Sequence, residues 1–349
     1  MPTIRDVSRL ANVSVATVSR VINANQPVSA DTKARVVAAM AELGYQPNSN
    51  AKALATNRSD ILGMVLGDLG GPFFGDLMAQ AEEETRRLKR HLLVTAGGHS
   101  RDIELEAIDF LLRRQVDALM LHVDSLTDAD LYELSTKTDT PIVLINRYVP
   151  DLHAHCIHVN NEVGGELITR HLIEQGHEAI ACITGPLYKG DSRGRLQGYR
   201  RALEQAGLPY VEQRVVESDY MEAGGSEAIE RLLSRKTPFT AVVCGNDLMA
   251  FGAIRSLRLH GFSVPQDIDV TGYDDIVLSS YVEPSLTTIH VPIGAMGVQA
   301  ARLAVQLATG QRPTAQQAFE PQLVVRGSTR SRSSDQSSQP MHSKFVQQQ

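Results

Sequence analysis

Residues 14–20, SVATVSR, combine hydroxyl groups and small apolar side chains with a single arginine. Arg20 can donate two parallel hydrogen bonds to a guanine edge, while Val15 and Ala16 can only touch thymine methyl groups or exclude other bases. For Arg20 the alternatives are a solvated charge or a contact with a DNA phosphate. The base-edge chemistry is available only if Val15, Ala16, Thr17 and Arg20 lie near the start of a helix that enters the major groove.

The surrounding residues predict two helices separated by a tight turn, followed by a third helix over about 32–43. Thr3 and Asp6 have the spacing of a capping box, which starts the first helix. Residues 12–14 form the turn, and Asn12 suits it because asparagine tolerates a left-handed backbone. This order is a helix-turn-helix pattern. The apolar positions predicted to face inward are Ile4, Val7, Leu10, Ala11, Val18, Val21, Ile22, Val36, Val37, Met40 and Leu43.

Charge is distributed unevenly along the chain. The 349 residues carry a net charge of −6, which by itself argues against a nucleic-acid partner. Residues 1–59 contain seven basic and three acidic side chains, a net charge of +4, which leaves −10 for the remainder. A basic head on an acidic body favours phosphate binding by the head alone, because the body repels DNA.

From Ile61 onward, apolar strand-like runs alternate with amphipathic helical segments. A first series contains ILGMVLGD, HLLVTAG, VDALMLHV and PIVLIN, and a second contains EAIACITG, VVES, TAVVCGND and DIDVTGYDD. Such alternation predicts parallel sheets covered by helices. The predicted fold class is therefore a small all-α helix-turn-helix headpiece followed by an α/β core of two parallel-sheet lobes.

These patterns predict the domain boundaries. The headpiece comprises 1–46, a hinge helix or linker 47–59 and the core 60–329, while the polar, Ser- and Gln-rich residues 330–349 are predicted to be a disordered tail. Within the core, the first lobe is predicted to span about 60–160 plus 290–329, and the second about 161–289.

Other kinds of chemistry lack their sequence patterns. Cys156, Cys182 and Cys244 have no CxxC or zinc-like spacing and lie in apolar runs, so we expect core thiols and no metal site. No GxGxxG, P-loop or nucleophile elbow is present, which argues against an enzyme and against a cofactor. No stretch is apolar enough to span a membrane and no export signal precedes the first helix, so we expect a cytoplasmic protein.

Several longer motifs resemble the lac/galactose repressor family of bacterial transcription regulators. The headpiece and hinge of that family are similar to TIRDVSRLANVSVATVSRVIN at 3–23 and ELGYQPNSNAKALAT at 42–56. Within the family, these motifs most resemble the sequences of galactose operon repressors. Ser8 and Asn12 depart from the alanine and glycine that the family often has there. The resemblance continues to about residue 327 through PFFGDL, VLINR, HLIEQGH, ITGP, GRLQGY, CGNDLMAFGA, GYDD and PSLTTIH.

At the DNA end, the resemblance implies phosphate contacts from Thr3, Ser14, Thr17 and Ser19, although any of these could simply cap a helix. It also implies that hinge helices of two subunits pair in the minor groove of operator DNA. Leu54 of each would wedge between bases, with Asn50, Ala51 and Lys52 beside it. A homodimer is then required, because residues 48–58 are too few to form a stable helix alone. No leucine heptad of the lac type follows the core, so a dimer is preferred to a tetramer.

In the core, the resemblance implies a sugar-binding cleft of the periplasmic-binding-protein type. A polyol needs planar polar side chains for its hydroxyls and an aromatic face for its C–H groups. The positions that match the family are Arg195, Asn246 and Asp274 as hydrogen-bonding residues and Phe73, Phe74 and Tyr220 as walls, with Asn146 and Asp275 as second-rank candidates.

These candidates have structural alternatives. The two aspartates could cap the next helix, the phenylalanines could be ordinary core, and His177 is interpreted as structural. Lys189 and Asp191 replace the arginine and threonine of the purine repressor, which argues against a purine ligand. Galactose is the first expectation for the ligand, and another sugar is the alternative.

Together these features predict a repressor that releases a palindromic operator when the sugar binds. Movement of the lobes would separate the paired starts of the core near 59–61 and melt the hinge helices. Coupling of about 1–3 kcal/mol would weaken operator binding roughly 5- to 150-fold. An activator or a corepressor-dependent regulator remains an alternative, whereas the headpiece opposes an exported sugar-binding protein and the missing motifs oppose a sugar kinase or dehydrogenase.

Overall fold

The computed structural model describes residues 2–23, 27–46, 58–314 and 317–330. The chain forms two compact units, Met1–Asp60 and Ile61–Gln349. No helix in these ranges is both long and apolar enough to cross a membrane. The hinge candidates Asn50, Ala51, Lys52 and Leu54, and the predicted tail after residue 330, lie outside the described residues.

The described part of the first unit contains helices α1 (Ile4–Leu10), α2 (Val15–Asn23) and α3 (Ala30–Leu43). Thr3 Oγ1 accepts a hydrogen bond from the Asp6 N–H, and the Asp6 carboxylate accepts one from the Thr3 N–H at 2.9 Å. Asn12 has a φ of 50°. The Ser8 hydroxyl donates to the Val13 carbonyl at 2.6 Å and so holds the turn. The capping box and the left-handed turn are thus confirmed.

The core of this unit is small. Val7, Ala11, Val18, Val36 and Ala39 are buried where the helices meet. The prediction is wrong for Leu10 and Val37, which are 44% and 52% exposed. Three short helices bury only a narrow stripe of each, and these two side chains lie beyond the edge of that stripe.

The first lobe of the second unit is a parallel sheet with helices on its faces. Its strands follow the order β11-β5-β4-β3-β1-β2, and Leu62 pairs with both Leu92 and Ala118. The strands are nearly continuous apolar runs because both faces are covered. They are β1 (Ile61–Leu66), β2 (His91–Ala96), β3 (Ala118–His122), β4 (Ile142–Ile145), β5 (Cys156–Val159) and β11 (Ala318–Phe319). The helices are α4 (Gly71–Arg87), α5 (Arg101–Arg113), α6 (Asp128–Lys137) and α11 (Ile293–Ala308).

The second lobe repeats the arrangement with the parallel order β7-β6-β8-β9. Its strands are β6 (Ile180–Thr184), β7 (Val215–Glu217), β8 (Ala241–Cys244) and β9 (Asp269–Thr271), and its helices are α8 (Gly190–Gln205), α9 (Glu222–Ser234) and α10 (Asp247–Leu259). The predicted α/β class with two parallel-sheet lobes is confirmed.

The lobes are joined by segments that run between the two sheets. They include an antiparallel pair of β10 (Thr288–His290) with β12 (Gln322–Val324). Helix α7 (Asn161–Glu174), which follows β5, packs against α8 of the second lobe. After β12 the chain returns to the second sheet, where the Val270 N–H donates to the Ser328 carbonyl at 3.0 Å. Short 3₁₀ turns occur at Pro150–His155, Glu212–Arg214 and Val277–Ser280.

Each sheet has a topological switch point, where the chain connections from two neighbouring strands lead towards opposite edges of the sheet. These points lie between β1 and β3 and between β6 and β8. In open parallel sheets, ligands bind in the crevice outside the carboxyl ends of the strands at such points. The strand order therefore directs attention to the loops that follow these strands.

Candidate functional site

The start of α2 is the candidate nucleic-acid interface. Val15, Ala16 and Arg20 are exposed, Thr17 and Ser19 are half-buried, and Val18 packs into the core. Because Val18 faces the core, the opposite face of the helix faces outward. The exposed side chains that could contact base edges lie on that face. The base contacts of Val15, Ala16, Thr17 and Arg20 stay predictions.

The hydroxyl groups at this interface have structural roles. Ser14 Oγ accepts a hydrogen bond from the Thr17 N–H at 3.1 Å and is bonded to Thr17 Oγ1 at 2.8 Å. Thr3 caps α1 as described above. Capping, the alternative left open by the sequence, is therefore what Thr3 and Ser14 do in the structure, and the phosphate contacts predicted for Thr3, Ser14, Thr17 and Ser19 remain predictions.

A cavity of about 210 Å³ lies in the core at the carboxyl ends of the strands of both lobes. We call it the sugar cavity after the ligand class that the sequence predicts. From the first lobe it receives Phe73 and Phe74 after β1, His99 after β2, and His122 at the end of β3. The second lobe contributes Lys189, Asp191 and Arg195 after β6, Tyr220 after β7, Asn246 after β8 and Asp274 after β9. The structure thus brings together Phe73, Phe74, Arg195, Tyr220, Asn246 and Asp274.

Arg195 is the central cation of this cavity and is only 8% exposed. Its Nε donates to Asn161 Oδ1 at 2.9 Å and its Nη1 donates to the Gly245 carbonyl. Nη1 lies 3.4 Å from Asp274 Oδ1, and the guanidinium lies 3.7 Å from the centre of the Tyr273 ring. These contacts fix the plane of the guanidinium, which leaves Nη2, 3.8 Å from Asp191 Oδ2, as the donor best placed for a ligand.

Asp274 and Asp275 occupy a turn in which both residues have positive φ, 103° and 57°. The turn sends the Asp274 side chain towards Arg195 and the Asp275 side chain towards His290 and Arg326, at 3.0 and 2.6 Å. Asp275 does not line the sugar cavity. Neither aspartate caps the following 3₁₀ turn, which has no side-chain cap. These adjacent residues thus have different roles, since Asp274 lines the cavity and Asp275 forms a structural ion pair.

Burial raises the pKa of Asp274 to about 8, against the opposing attraction of Arg195. A carboxyl group whose pKa is higher in the folded state stabilises the fold fully at low pH, and this stabilisation is lost as the pH rises from about 4 to 8. We expect Asp274→Asn to flatten this decline in the free energy of unfolding, measured by urea denaturation between pH 5 and 8.5. Parallel curves for the two proteins would contradict the assignment to Asp274.

Asn246 and Tyr220 support one another across neighbouring loops. Asn246 caps α10 by accepting from the Met249 N–H at 2.9 Å, and its Nδ2 donates to the Tyr220 carbonyl at 2.9 Å. The Tyr220 hydroxyl is bonded to Ser192 Oγ at 2.7 Å. Burial raises the pKa of Tyr220, so its ring is a neutral wall with a polar edge.

Aromatic rings line the opposite side of the cavity. Phe73 and Phe74 meet edge to face at 5.4 Å, and the His122 ring lies 6.0 and 5.3 Å from them. Both phenylalanines also pack against the main core cluster. Core packing and wall formation are therefore joint roles of Phe73 and Phe74.

Lys189 reaches from the second lobe to the first. Its Nζ lies 2.9 Å from Asp124 Oδ2 and 3.2 Å from His99 Nδ1. Burial acts against the charge of Asp124, but the His99 side chain, whose Nδ1 lies 3.7 Å from Asp124 Oδ2, together with His122 and Lys189 lowers its pKa. Asp124 and Lys189 thus form a charged pair across the cleft.

The loop that holds Asp124 depends on Glu104, which is fully buried on α5. Its carboxylate accepts hydrogen bonds from the backbone N–H groups of Asp124, Ser125 and Leu126 at 2.9–3.2 Å. A glutamine there would turn an NH₂ group towards these donors. We expect Glu104→Gln to lower the free energy of unfolding by about 1–3 kcal/mol, measured by urea denaturation. The exposed Glu106 on the same helix is the control, and an equal effect of Glu106→Gln would refute the role of Glu104.

Two remaining candidates lie elsewhere. Asn146 has a φ of 57° and lines a second cavity rather than the sugar cavity. His177 is buried and bonds to Thr240 Oγ1 at 2.8 Å and Asp269 Oδ2 at 3.1 Å. His177 therefore has the structural position that the sequence predicted.

Sequence reasoning missed His99, His122 and Asp124 as cavity residues. It considered Lys189 and Asp191 only as evidence against a purine ligand. A usable signal was present, because His122 ends the run VDALMLH and Asp124 follows it. Polar residues just after a buried parallel strand lie at the carboxyl edge of the sheet.

The chemical groups that line the cavity suit reversible binding of a ligand. Cys156, Cys182 and Cys244 are buried free thiols, as predicted, and burial raises the pKa of Cys182 to about 12. Among the described residues, no group of three or more His, Cys, Asp and Glu side chains is arranged to hold a metal ion. What the cavity offers is a forked cation, carboxylates and aromatic walls, which match hydroxyl groups and C–H faces.

Residues 3–48 match the family described as bacterial regulatory proteins, lacI family, and residues 169–329 match a periplasmic binding protein-like domain. The chain is 43% identical over 330 residues to the HTH-type transcriptional regulator GalR of Salmonella typhimurium, covering 94% of this chain and 96% of GalR. It is 38% identical over 333 residues to the ribose operon repressor of Escherichia coli, covering 94% and 100%.

Solved structures give the same picture. A lac repressor dimer bound to operator and the anti-inducer ONPF is 32% identical, with a TM-score of 0.85, over 94% of this chain and 99% of that one. A complex of the transcriptional regulator CelR with cellobiose is 33% identical, with a TM-score of 0.70, over 94% and 100%.

Proposed function

Because the chain belongs to the lacI family of bacterial regulatory proteins, we propose that it holds a palindromic operator as a homodimer and releases it when a small sugar binds the core. The chain is a DNA-binding transcriptional repressor of this family and not an enzyme. The sugar response and the release are the parts that go beyond this assignment.

The observation that carries the sensing proposal is the setting of Arg195. Its guanidinium is fixed by Asn161, Gly245 and Asp274 inside a cavity that residues of both lobes line. A ligand that bridges Arg195 and the phenylalanine wall contacts both lobes at once. Binding can then favour one lobe angle over another, because only a differential contact shifts a conformational equilibrium.

Galactose is the first ligand we propose. The 43% identity to GalR supports it, and so does a cavity that combines Arg195, Asn246 and Asp274 with the rings of Phe73, Phe74 and Tyr220. Asn146 would take part only if the ligand or the lobes reached the second cavity. The 38% identity to the ribose operon repressor makes ribose the first alternative to test.

For the DNA end, we propose that α2 of each subunit reads base edges through Val15, Ala16, Thr17 and Arg20. The exposed start of α2 supports this role. The lac repressor relative is a dimer bound to operator, and the dimer proposed for this chain follows from that likeness. The proposed site of action is the bacterial cytoplasm, where operator DNA lies.

Release is proposed to follow from movement of the lobes, which separates the two 59–61 segments of a dimer. With a coupling of about 1–3 kcal/mol, sugar weakens operator binding roughly 5- to 150-fold, and operator weakens sugar binding by the same factor. Equal sugar affinity with and without operator would be incompatible with this mechanism.

Fluorescence anisotropy with a labelled palindromic duplex tests the proposal directly. We expect the full-length protein to bind the duplex and galactose to release it, whereas ribose leaves it bound. Release by ribose alone would keep the mechanism and replace the ligand. Indifference to every sugar in a panel would overturn the sensing proposal, and tighter binding with sugar would reverse the direction of control.

A further inference from the structure

A second cavity, of about 440 Å³, adjoins the sugar cavity. The two share Asp124 and Asp191 in their linings. The outer lining contains the Asn146 amide, an ion pair between Arg147 and Asp128 at 2.5 Å, and the Tyr148 ring, which lies 4.9 Å from that of His158. These are again groups that suit a polyol.

The Lys189 side chain stands where the two cavities meet. It lines the sugar cavity, whereas its chain neighbours Tyr188 and Gly190 line the outer one. Its ammonium group spans the cleft to Asp124, the carboxylate that both cavities share. The pair therefore forms a partition between them.

Displacing Lys189 to make room for a larger ligand is energetically unfavourable. Lys189 is only 8% exposed, and its Asp124 contact is 2.9 Å long. Other titratable groups also face the pair: His99 from the loop after β2, Asp191 from α8 and His122 from the end of β3. Pushing the lysine aside would leave the Asp124 carboxylate buried without its cation, which is strongly unfavourable.

We propose that the Lys189–Asp124 pair is the size filter of the cleft and restricts the effector to a single sugar ring. This inference rests on the proposed sugar-sensing function and names its ligand class. A second ring could occupy the outer cavity by its chemistry, but the pair keeps it out. Lys189 is thus a specificity-determining residue rather than a contact that every sugar of the class needs.

The test uses two full-length double variants that lose the same two charges. Lys189→Ala with Asp124→Asn removes the bulk of the partition, whereas Lys189→Met with Asp124→Asn keeps most of its volume. Calorimetry measures the affinity of each protein for galactose and for lactose, a two-ring galactoside. Because the charge change is shared, the ratio of the two affinities reports on the partition itself.

We expect wild type to prefer galactose over lactose by about 100-fold or more and the alanine variant by less than about 10-fold, with the methionine variant, which keeps the bulk but not the ion pair, between them. Equal binding of both sugars by wild type would overturn the size filter, as would a preference unchanged in the alanine variant. Should the alanine variant fail to fold, the wild-type comparison still decides. If wild type binds no sugar of one or two rings, the proposed function fails instead.

Discussion

Replacing Arg195 with methionine is expected to weaken galactose binding by about 100-fold or more, while binding to operator DNA is retained. Methionine keeps much of the length of the side chain and removes every donor. Hydrogen bonds made by a charged group contribute roughly 1.5–3 kcal/mol each, so the loss of two corresponds to at least a hundredfold in affinity. The variant should therefore behave as a repressor that no longer responds to sugar.

The fold should tolerate this change because of Asp274. Its carboxyl group would lose the guanidinium 3.4 Å away, but burial already raises its pKa to about 8, so it can take up a proton instead of remaining an unpaired charge. Calorimetry with galactose and anisotropy with the operator duplex measure the two activities separately. The role given to Arg195 would be refuted if the Arg195→Met variant left the operator at the same galactose concentration that releases the wild-type protein.

Arg200→Met is the matched control for this substitution. Arg200 lies five residues further along α8, and its guanidinium packs 4.3 Å from the centre of the Tyr210 ring and donates to the Tyr210 hydroxyl at 2.8 Å. It does not line the sugar cavity. We expect Arg200→Met to bind galactose as wild type does, which separates loss of a ligand contact from general damage to α8.

Replacing Arg20 with methionine is expected to weaken binding to the specific operator by roughly 10- to 100-fold, because a forked contact with guanine contributes about 1–3 kcal/mol of discrimination. Preference at one base pair of each half-site should relax at the same time. Anisotropy titrations against duplexes with each base pair substituted in turn measure both effects.

The salt dependence of binding separates this role from the alternative left open by the sequence. If Arg20 contacts a phosphate, its loss weakens binding to all duplexes equally and lowers the slope of log affinity against log salt by about one charge. Arg35→Met on α3 is the control, since Arg35 is paired with Asp31 at 3.4 Å. An Arg35 effect as sequence-selective as that of Arg20 would refute the placement of recognition on α2.

Much of the headpiece could be predicted from local patterns. Thr3 and Asp6 close their capping box within one helical turn, and Asn12 adopts its left-handed conformation within a three-residue turn. Both depend on neighbours in sequence, so the sequence is enough to predict them. Leu10 and Val37 show the limit, because their exposure depends on how far a third helix covers the other two.

The cavity required more than local patterns. The motifs predicted that Arg195, Asn246 and Asp274 belong to one site, and the structure places all three in one cavity. The resemblance placed Asp275 and Asn146 in second rank, and the structure shows that neither lines the sugar cavity. The positive φ at each aspartate turns the Asp275 side chain away from that of Asp274. The strand order of the first sheet separates Asn146 from the residues of the cavity.

By itself, then, the sequence determined the class of elements, the helix caps and the charge contrast between head and body, because these depend on periodicity, composition and short spacings. The membership of most site residues followed instead from their match to the motifs of the lacI family. Only the tertiary structure decided that His99 and Asp124 of one lobe meet Lys189 of the other, and that this pair stands between two cavities. The physical reason is that Lys189 is 65 residues from Asp124 and 90 from His99 along the chain, and only the packing of the two lobes brings side chains from different sheets this close.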